Sequence, residues 1–214
     1  MLVMLCMALS GIAQIPQRSV TEVIGCSDSR GNDTPAKKVQ SPSIKSKLGA
    51  RAFAVVSVEH CQATAMFYVA RPGESFRLVR QVDAKNLEGN GVGGMFWSPS
   101  QQSLAVDFTH WGYAGDAGID HELAIYSVQS GSLKDLPLSD SAVKLAWGDC
   151  DGELSLAGWL DEEHFRLRMV RYPFVGDEDD LKAVMLCPGK AFDLSYEIAT
   201  GKLAMVVPKP HLRK

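Results

Sequence analysis

The stretch Phe96-Trp97-Ser98-Pro99-Ser100-Gln101-Gln102-Ser103-Leu104-Ala105-Val106 places an aromatic pair before a polar turn and an alternating apolar run after it. The same order of residue types returns as Trp147-Gly148-Asp149-Cys150-Asp151-Gly152-Glu153-Leu154-Ser155-Leu156. It returns again as Tyr196-Glu197-Ile198-Ala199-Thr200-Gly201-Lys202-Leu203-Ala204-Met205. The leading aromatics stand 50 and 49 residues apart, and Leu104 and Leu154 stand 50 apart. Ser41-Pro42-Ser43, followed by Ala52-Phe53-Ala54-Val55, reads as a degenerate first copy with a lengthened turn. A period of ~50 residues holding about four short strands is the mark of a propeller or array, in which each sheet buries its faces against its neighbours.

The chain between these copies reads the same way. Short apolar runs separated by turn residues predict strands over Arg51–Val58, Thr64–Ala70, Phe76–Val82, Ser103–Phe108, Glu122–Val128, Val143–Trp147, Glu153–Leu160, His164–Phe174 and Lys202–Val207. In His164–Arg171, Phe165, Leu167 and Met169 alternate with Arg166, Arg168 and Val170, so one face is apolar and the other carries both arginines. Leu123–Val128 and Ala65–Ala70 are apolar on both faces, as inner strands of packed sheets should be. No long stretch sustains a 3.6-residue period. Asp177–Leu186 has some helical spacing and is read as a strand. The expected class is all-β, an array of antiparallel sheets.

Phe96 to Val106, followed by Glu122-Leu123-Ala124-Ile125-Tyr126-Ser127-Val128-Gln129-Ser130-Gly131, resembles a blade of TolB-type and WD-type β-propellers. In those blades an aromatic-Ser-Pro-Asp-Gly turn leads into Leu-Ala, and an Ile-Tyr-Asp-x-x-x-Gly turn follows. Here Ser100 and Gln101 stand at the Asp-Gly positions and Ser127 at the later Asp, while the next copy keeps Asp151-Gly152. The resemblance implies roughly two to four blades, fewer than the ~4–8 of a closed ring, hence a small or incomplete propeller. It implies no particular activity, because propellers host many.

The chain has 214 residues with 46% hydrophobic and 22% charged residues, which excludes a disordered chain, a fibre and a polytopic membrane protein. A net charge of −3 supplies no basic field for nucleic acid. Residues 1–13, MLVMLCMALSGIA, are apolar but too short to span a bilayer, and Gly11 and Ala13 suit a cleavage site before Gln14. The expectation is a signal peptide over 1–13, its missing basic region pointing to a start codon upstream, and a secreted or periplasmic protein. The polar stretch 14–47 reads as a linker or disordered lead-in, and 48–214 as the β-propeller-like domain. Val23-Ile24-Gly25-Cys26 resembles a lipidation box, though polar residues separate it from the apolar run. Asn32-Asp33-Thr34 is a glycosylation sequon. Cys26, Cys61, Cys150 and Cys187 permit two disulfides in any of three pairings, or four buried thiols.

The common catalytic signatures are absent. Gly89-Asn90-Gly91-Val92-Gly93-Gly94 satisfies G-x-G-x-x-G, but an apparent strand rather than a helix follows it, so it reads as a flexible loop joining two blades. His121-Glu122 opens like a zincin motif and lacks the second histidine. Asp177-Glu178-Asp179-Asp180 reads as a solvated turn rather than a calcium site.

The repeat suggests one constellation. With strands a-b-c-d in each blade, the b–c loops share one end of the sheets. Glu59-His60-Cys61, His110-Trp111 and Glu162-Glu163-His164 fall there, with histidines 50 and 54 residues apart. His60, His110 and His164, with Glu59, Asp116, Asp161 and Glu163 nearby, form a candidate divalent-metal site. Trp111 and Tyr113, in the long loop Thr109–Asp120, are candidate ligand-binding aromatics; the alternative is that Trp111 tucks over the sheet end as core. Trp97 and Trp147 read as core, and Trp159 as either. The leading expectation is an exported, non-catalytic binding or scaffolding module with no cofactor. It would recognise protein or glycan through His60, His110, Trp111, Tyr113 and His164, with oligomerisation open and no nucleic-acid partner. The runner-up is a metal-dependent hydrolase or lyase using the three histidines, with Glu163 or Asp116 as base.

Overall fold

A computed structural model describes residues 36–59, 62–84, 88–112, 119–136, 151–172 and 191–206. Among these described residues the structure is all-β, of strands and turns, and the sheets are antiparallel apart from one parallel bridge. The described strands do not close into a barrel or a propeller. No helix among them is long and apolar enough to cross a membrane.

The strands form three successive meanders. In the first, β1 (Lys37–Gln40) and β2 (Ile44–Lys45) occupy one edge beside β3 (Arg51–Glu59), followed by β4 (Gln62–Ala70) and β5 (Arg77–Val82). The second runs β6 (Glu88–Trp97), β7 (Ser103–Gly112), β8 (Asp120–Ser127) and β9 (Leu133–Asp135). The third runs β10 (Asp151–Trp159), β11 (His164–Tyr172), β12 (Ala191–Glu197) and β13 (Leu203–Met205). Among the described residues, strand pairing joins the first two at a single parallel bridge, Ala63 with Gly89.

Alternation decides what each face buries. Leu104, Val106 and Phe108 of β7, with Ala124 and Tyr126 of β8, face the first meander and share a core with Val56, Val58, Phe67 and Val69. Phe67 meets Phe108 and Tyr126 edge-on at centroid distances of 6.1 and 6.4 Å. Ala105 and Leu123, one residue out of phase, join Phe96 against Leu154, Leu156, Phe165, Leu167, Met169, Leu194 and Tyr196 of the third meander. The second meander is therefore buried on both faces, which is why Leu123–Val128 reads as apolar on both faces. Each fully buried aromatic or branched side chain in these layers contributes roughly 1.5–3 kcal/mol.

Several expectations change. The 14–47 stretch read as a lead-in holds β1 and β2, both paired to β3. Ser41-Pro42-Ser43 separates them, and the turn entering β3 is Ser46–Ala50, with Ser46 N donating to Ala50 O at 2.8 Å. Gly89–Gly94 is not a loop but most of β6. The third sequence copy is displaced by one hairpin. Tyr196 corresponds to Tyr126 rather than to Trp97: Tyr126 pairs with Leu133 as Tyr196 pairs with Leu203, and Gly131 and Gly201 both take φ 69°. The two turns also share the glycine N–H bond back to Ser127 O and to Glu197 O, each 2.8 Å. An aromatic, a tight polar turn and an alternating strand describe any hairpin of such a sheet, so sequence alone matched a third-to-fourth-strand turn to a first-to-second one. Val143–Trp147 and Asp177–Leu186 lie outside the described residues.

Candidate functional site

The sequence candidates do not assemble as expected. His60, Cys61, Tyr113, Asp116, the other cysteines, the sequon and the acidic run lie outside the described residues. His110 lies near the end of β7, paired with Asn90 and Asp120. His164 begins β11, beside the Trp159–Phe165 pair that closes the β10–β11 hairpin. That hairpin adjoins the β6–β7 hairpin, since Glu162 accepts hydrogen bonds from Ser100 N and, at 2.9 Å, from Ser100 Oγ. His110 is six residues along β7 from Leu104 at that hairpin, about 20 Å at the usual strand rise. His110 and His164 thus occupy opposite ends of the sheets and cannot share a metal ion. The cause is the same one-hairpin displacement of the repeat: residues 160–163 join β10 and β11, the first and second described strands of their meander, not the second and third. His164 instead holds Asp161 Oδ1 at 2.8 Å. Among the described residues, no cluster of three His, Cys, Asp or Glu side chains is arranged for a metal.

Trp111 is 4% exposed, so it is core and not a ligand-facing aromatic. The glycines of β6 create its seat. A Cβ on Gly89 would lie 1.9 Å from Trp111 Cε2, and one on Gly91 3.1 Å from Cζ3. Trp97 and Trp159 are also buried, and Trp159 Nε1 donates to Phe96 O at 2.8 Å, tying the third meander to the second.

At the His110 end, a chain of polar groups crosses from the first meander to the second. Buried Asn90 donates through Nδ2 to Ala63 O at 3.1 Å, which turns its Oδ1 to accept from His110 Nδ1 at 2.5 Å. His110 Nε2 faces Glu122 Oε2 at 3.3 Å. Glu122 Oε1 accepts from Arg80 Nη2 at 2.8 Å, and Arg80 Nη1 reaches Asp135 at 2.5 Å. The Arg80 guanidinium also lies 4.4 Å over the buried Phe108 ring, a cation–π contact that fixes its plane. Burial works to raise the Glu122 carboxyl, but the Arg80 hydrogen bond and charge, with His110, outweigh it and hold the group below its ordinary range. The side chains of His110, Glu122 and Asp135 are 33%, 38% and 59% exposed, so this row presents a donor-and-acceptor surface to solvent.

A second polar group, which the sequence reading passed over, lies between the second and third meanders. Asp107 is 1% exposed and His121 8%. Both Asp107 oxygens are 2.9 Å from His121 Nδ1, and Oδ2 also accepts from Leu156 N at 3.1 Å. A buried carboxylate with three such contacts is satisfied and holds three strands together. The signal that could have found it is an aspartate at an inward position of an otherwise apolar strand, Leu104–Phe108.

Neither a protein-family model nor a curated protein matches the chain.

Proposed function

We propose that the chain is an exported, non-catalytic module of β-propeller-like construction that binds or scaffolds a protein or glycan partner. The observation that carries the reading is the stacking of three successive meanders of four or five described strands, each using a neighbour's face as its core. The near-identical Tyr126–Leu133 and Tyr196–Leu203 turns support it as repetition of one structural unit. The TolB- and WD-like turn residues support it too. Gln101, at the position where those blades often carry glycine, takes the left-handed φ of 66° that glycine favours.

The binding face in this reading is the His110 end, with Asn90 and Arg80 orienting His110 and Glu122 toward the partner. The polar groups there are engaged with one another rather than converging on a reacting atom, which favours recognition over catalysis. Cross-linking of the full chain in envelope extracts tests this, with His110→Ala as the paired sample. One partner protein or glycan band should be captured by the wild type and lost from the variant. Metal-dependent turnover of an ester or phosphoester panel that disappears in His110→Ala would overturn the non-catalytic reading.

A further inference from the structure

We propose that Asp107, His121 and Glu153 form a pH-sensitive latch that holds the third meander against the second while His121 carries a proton on both ring nitrogens.

The geometry separates the two nitrogens. Asp107 on β7 and His121 on β8 share the face turned toward the third meander, His121 pairing in register with Thr109. Nδ1 lies 2.9 Å from both Asp107 oxygens and must donate, because a carboxylate only accepts. Nε2 is therefore where the proton arrives and leaves. It makes no hydrogen bond, and its nearest charged atom is Oε1 of Glu153 on β10, at 3.6 Å. Protonated, the ring sets a positive N–H toward that carboxylate. Neutral, it sets a lone pair there, and attraction across the interface becomes repulsion.

The charged groups that bear on the ring are Asp107 from β7 and Glu153 from β10. Glu122, next along β8, is engaged with Arg80 and His110. Residues 89–96 of β6 include no charged side chain. Burial pushes the imidazole down, but the hydrogen bond and charge of Asp107, followed by Glu153, outweigh it and raise the ring above its ordinary value. A folded-state value raised in this way contributes stability that is fully present below the unfolded value of ~6.5 and is lost as pH rises through the folded midpoint. The interface that loosens is specific. Asp107 Oδ2 also accepts from Leu156 N, so the amide of Leu156 reports directly on whether the third meander sits on the second.

The test follows the His121 ring by NMR titration of the full chain, alongside hydrogen exchange at Leu156 corrected for intrinsic base catalysis. The expected midpoint lies above that of an exposed histidine, and Leu156 opening increases with pH tenfold for each unit of that difference. Glu153→Gln should lower the midpoint and reduce the pH dependence by the matching factor, and His121→Gln should abolish the dependence. A midpoint at or below ~6.5 would overturn the latch, as would pH-dependent opening that persists undiminished in Glu153→Gln. Glu153 is 39% exposed, so its variant decides the matter even where His121→Gln does not fold.

Discussion

Gly89 offers a quantitative test of how the second meander is built. An added Cβ would lie 1.9, 2.1 and 2.4 Å from Cε2, Nε1 and Cζ2 of Trp111. Ordinary carbon contacts need more than an ångström beyond that, and the neighbour is a rigid indole only 4% exposed, not a flexible tip. Gly89→Ala must therefore move the ring or the strand. Overpacking a core costs about 1–3 kcal/mol, and ejecting a buried tryptophan about 3–5 kcal/mol, so the expected loss is about 3 kcal/mol. For a chain of this length that corresponds to roughly 6–12 °C in Tm. Equilibrium urea unfolding followed by circular dichroism reads it, with Trp111→Ala as the second arm of a double-mutant cycle. Once the indole is gone the methyl has room, and alanine in a strand is favoured over glycine by roughly 0.5–1 kcal/mol. Gly89→Ala should then be neutral or mildly stabilising in the Trp111→Ala background. A loss under about 0.5 kcal/mol in the wild type, or an equal loss in both backgrounds, would refute the claim that the glycines exist to seat Trp111.

Three further outcomes are expected. Trp159→Phe removes the indole N–H that donates to Phe96 O and with it a tie between the third meander and the second, while the ladder pairing of Phe96 with Ala105 remains, so it should cost about 0.5–1.5 kcal/mol in the same unfolding assay. Gly131→Ala forces a side chain into φ 69° and displaces the Arg77 guanidinium, whose Nη2 bonds Gly131 O at 2.5 Å and Tyr126 OH at 3.1 Å. It should cost about 1–2 kcal/mol from the backbone alone, and more until Arg77 is also replaced. Glu122→Gln should flatten the acid limb of the stability curve. The depressed carboxyl stabilises above its unfolded value of ~4.3 and loses that contribution as pH falls through its folded value; partial exposure limits the effect to under about 1 kcal/mol.

Much of the fold was legible because most strands announce themselves through alternation. Arg51–Val58, His164–Arg171 and Ser103–Phe108 all fall within observed strands, and the apolar-on-both-faces reading of Leu123–Val128 matches a meander buried on both sides. β6 was hidden because Gly89, Gly91, Gly93 and Gly94 have no side chains to display a period, and its meaning depends on Trp111, twenty residues away. β1 was hidden for another reason. Lys37, Lys38 and Gln40 are exposed on an edge, and polar edge residues look like linker. The histidine constellation failed where the repeat was placed one hairpin out of step. The Asp107–His121 pair was missed because a spacing search looks for ligands at matching loop positions. This pair arises from side chains two registers apart on neighbouring strands, brought to one face by the pleat.

The single bridge between Ala63 and Gly89 has a consequence for the order in which the chain assembles. Nearly every other pairing joins strands consecutive in sequence, so little loop entropy is spent on closing each meander. The first meander is complete at Val82, before any residue of the second is required. Its apolar layer of Val56, Phe67 and Val69 is the surface that β7 and β8 cover, and their reverse side is covered by the third. A chain synthesised N-terminus first meets each packing surface in the order of its sequence.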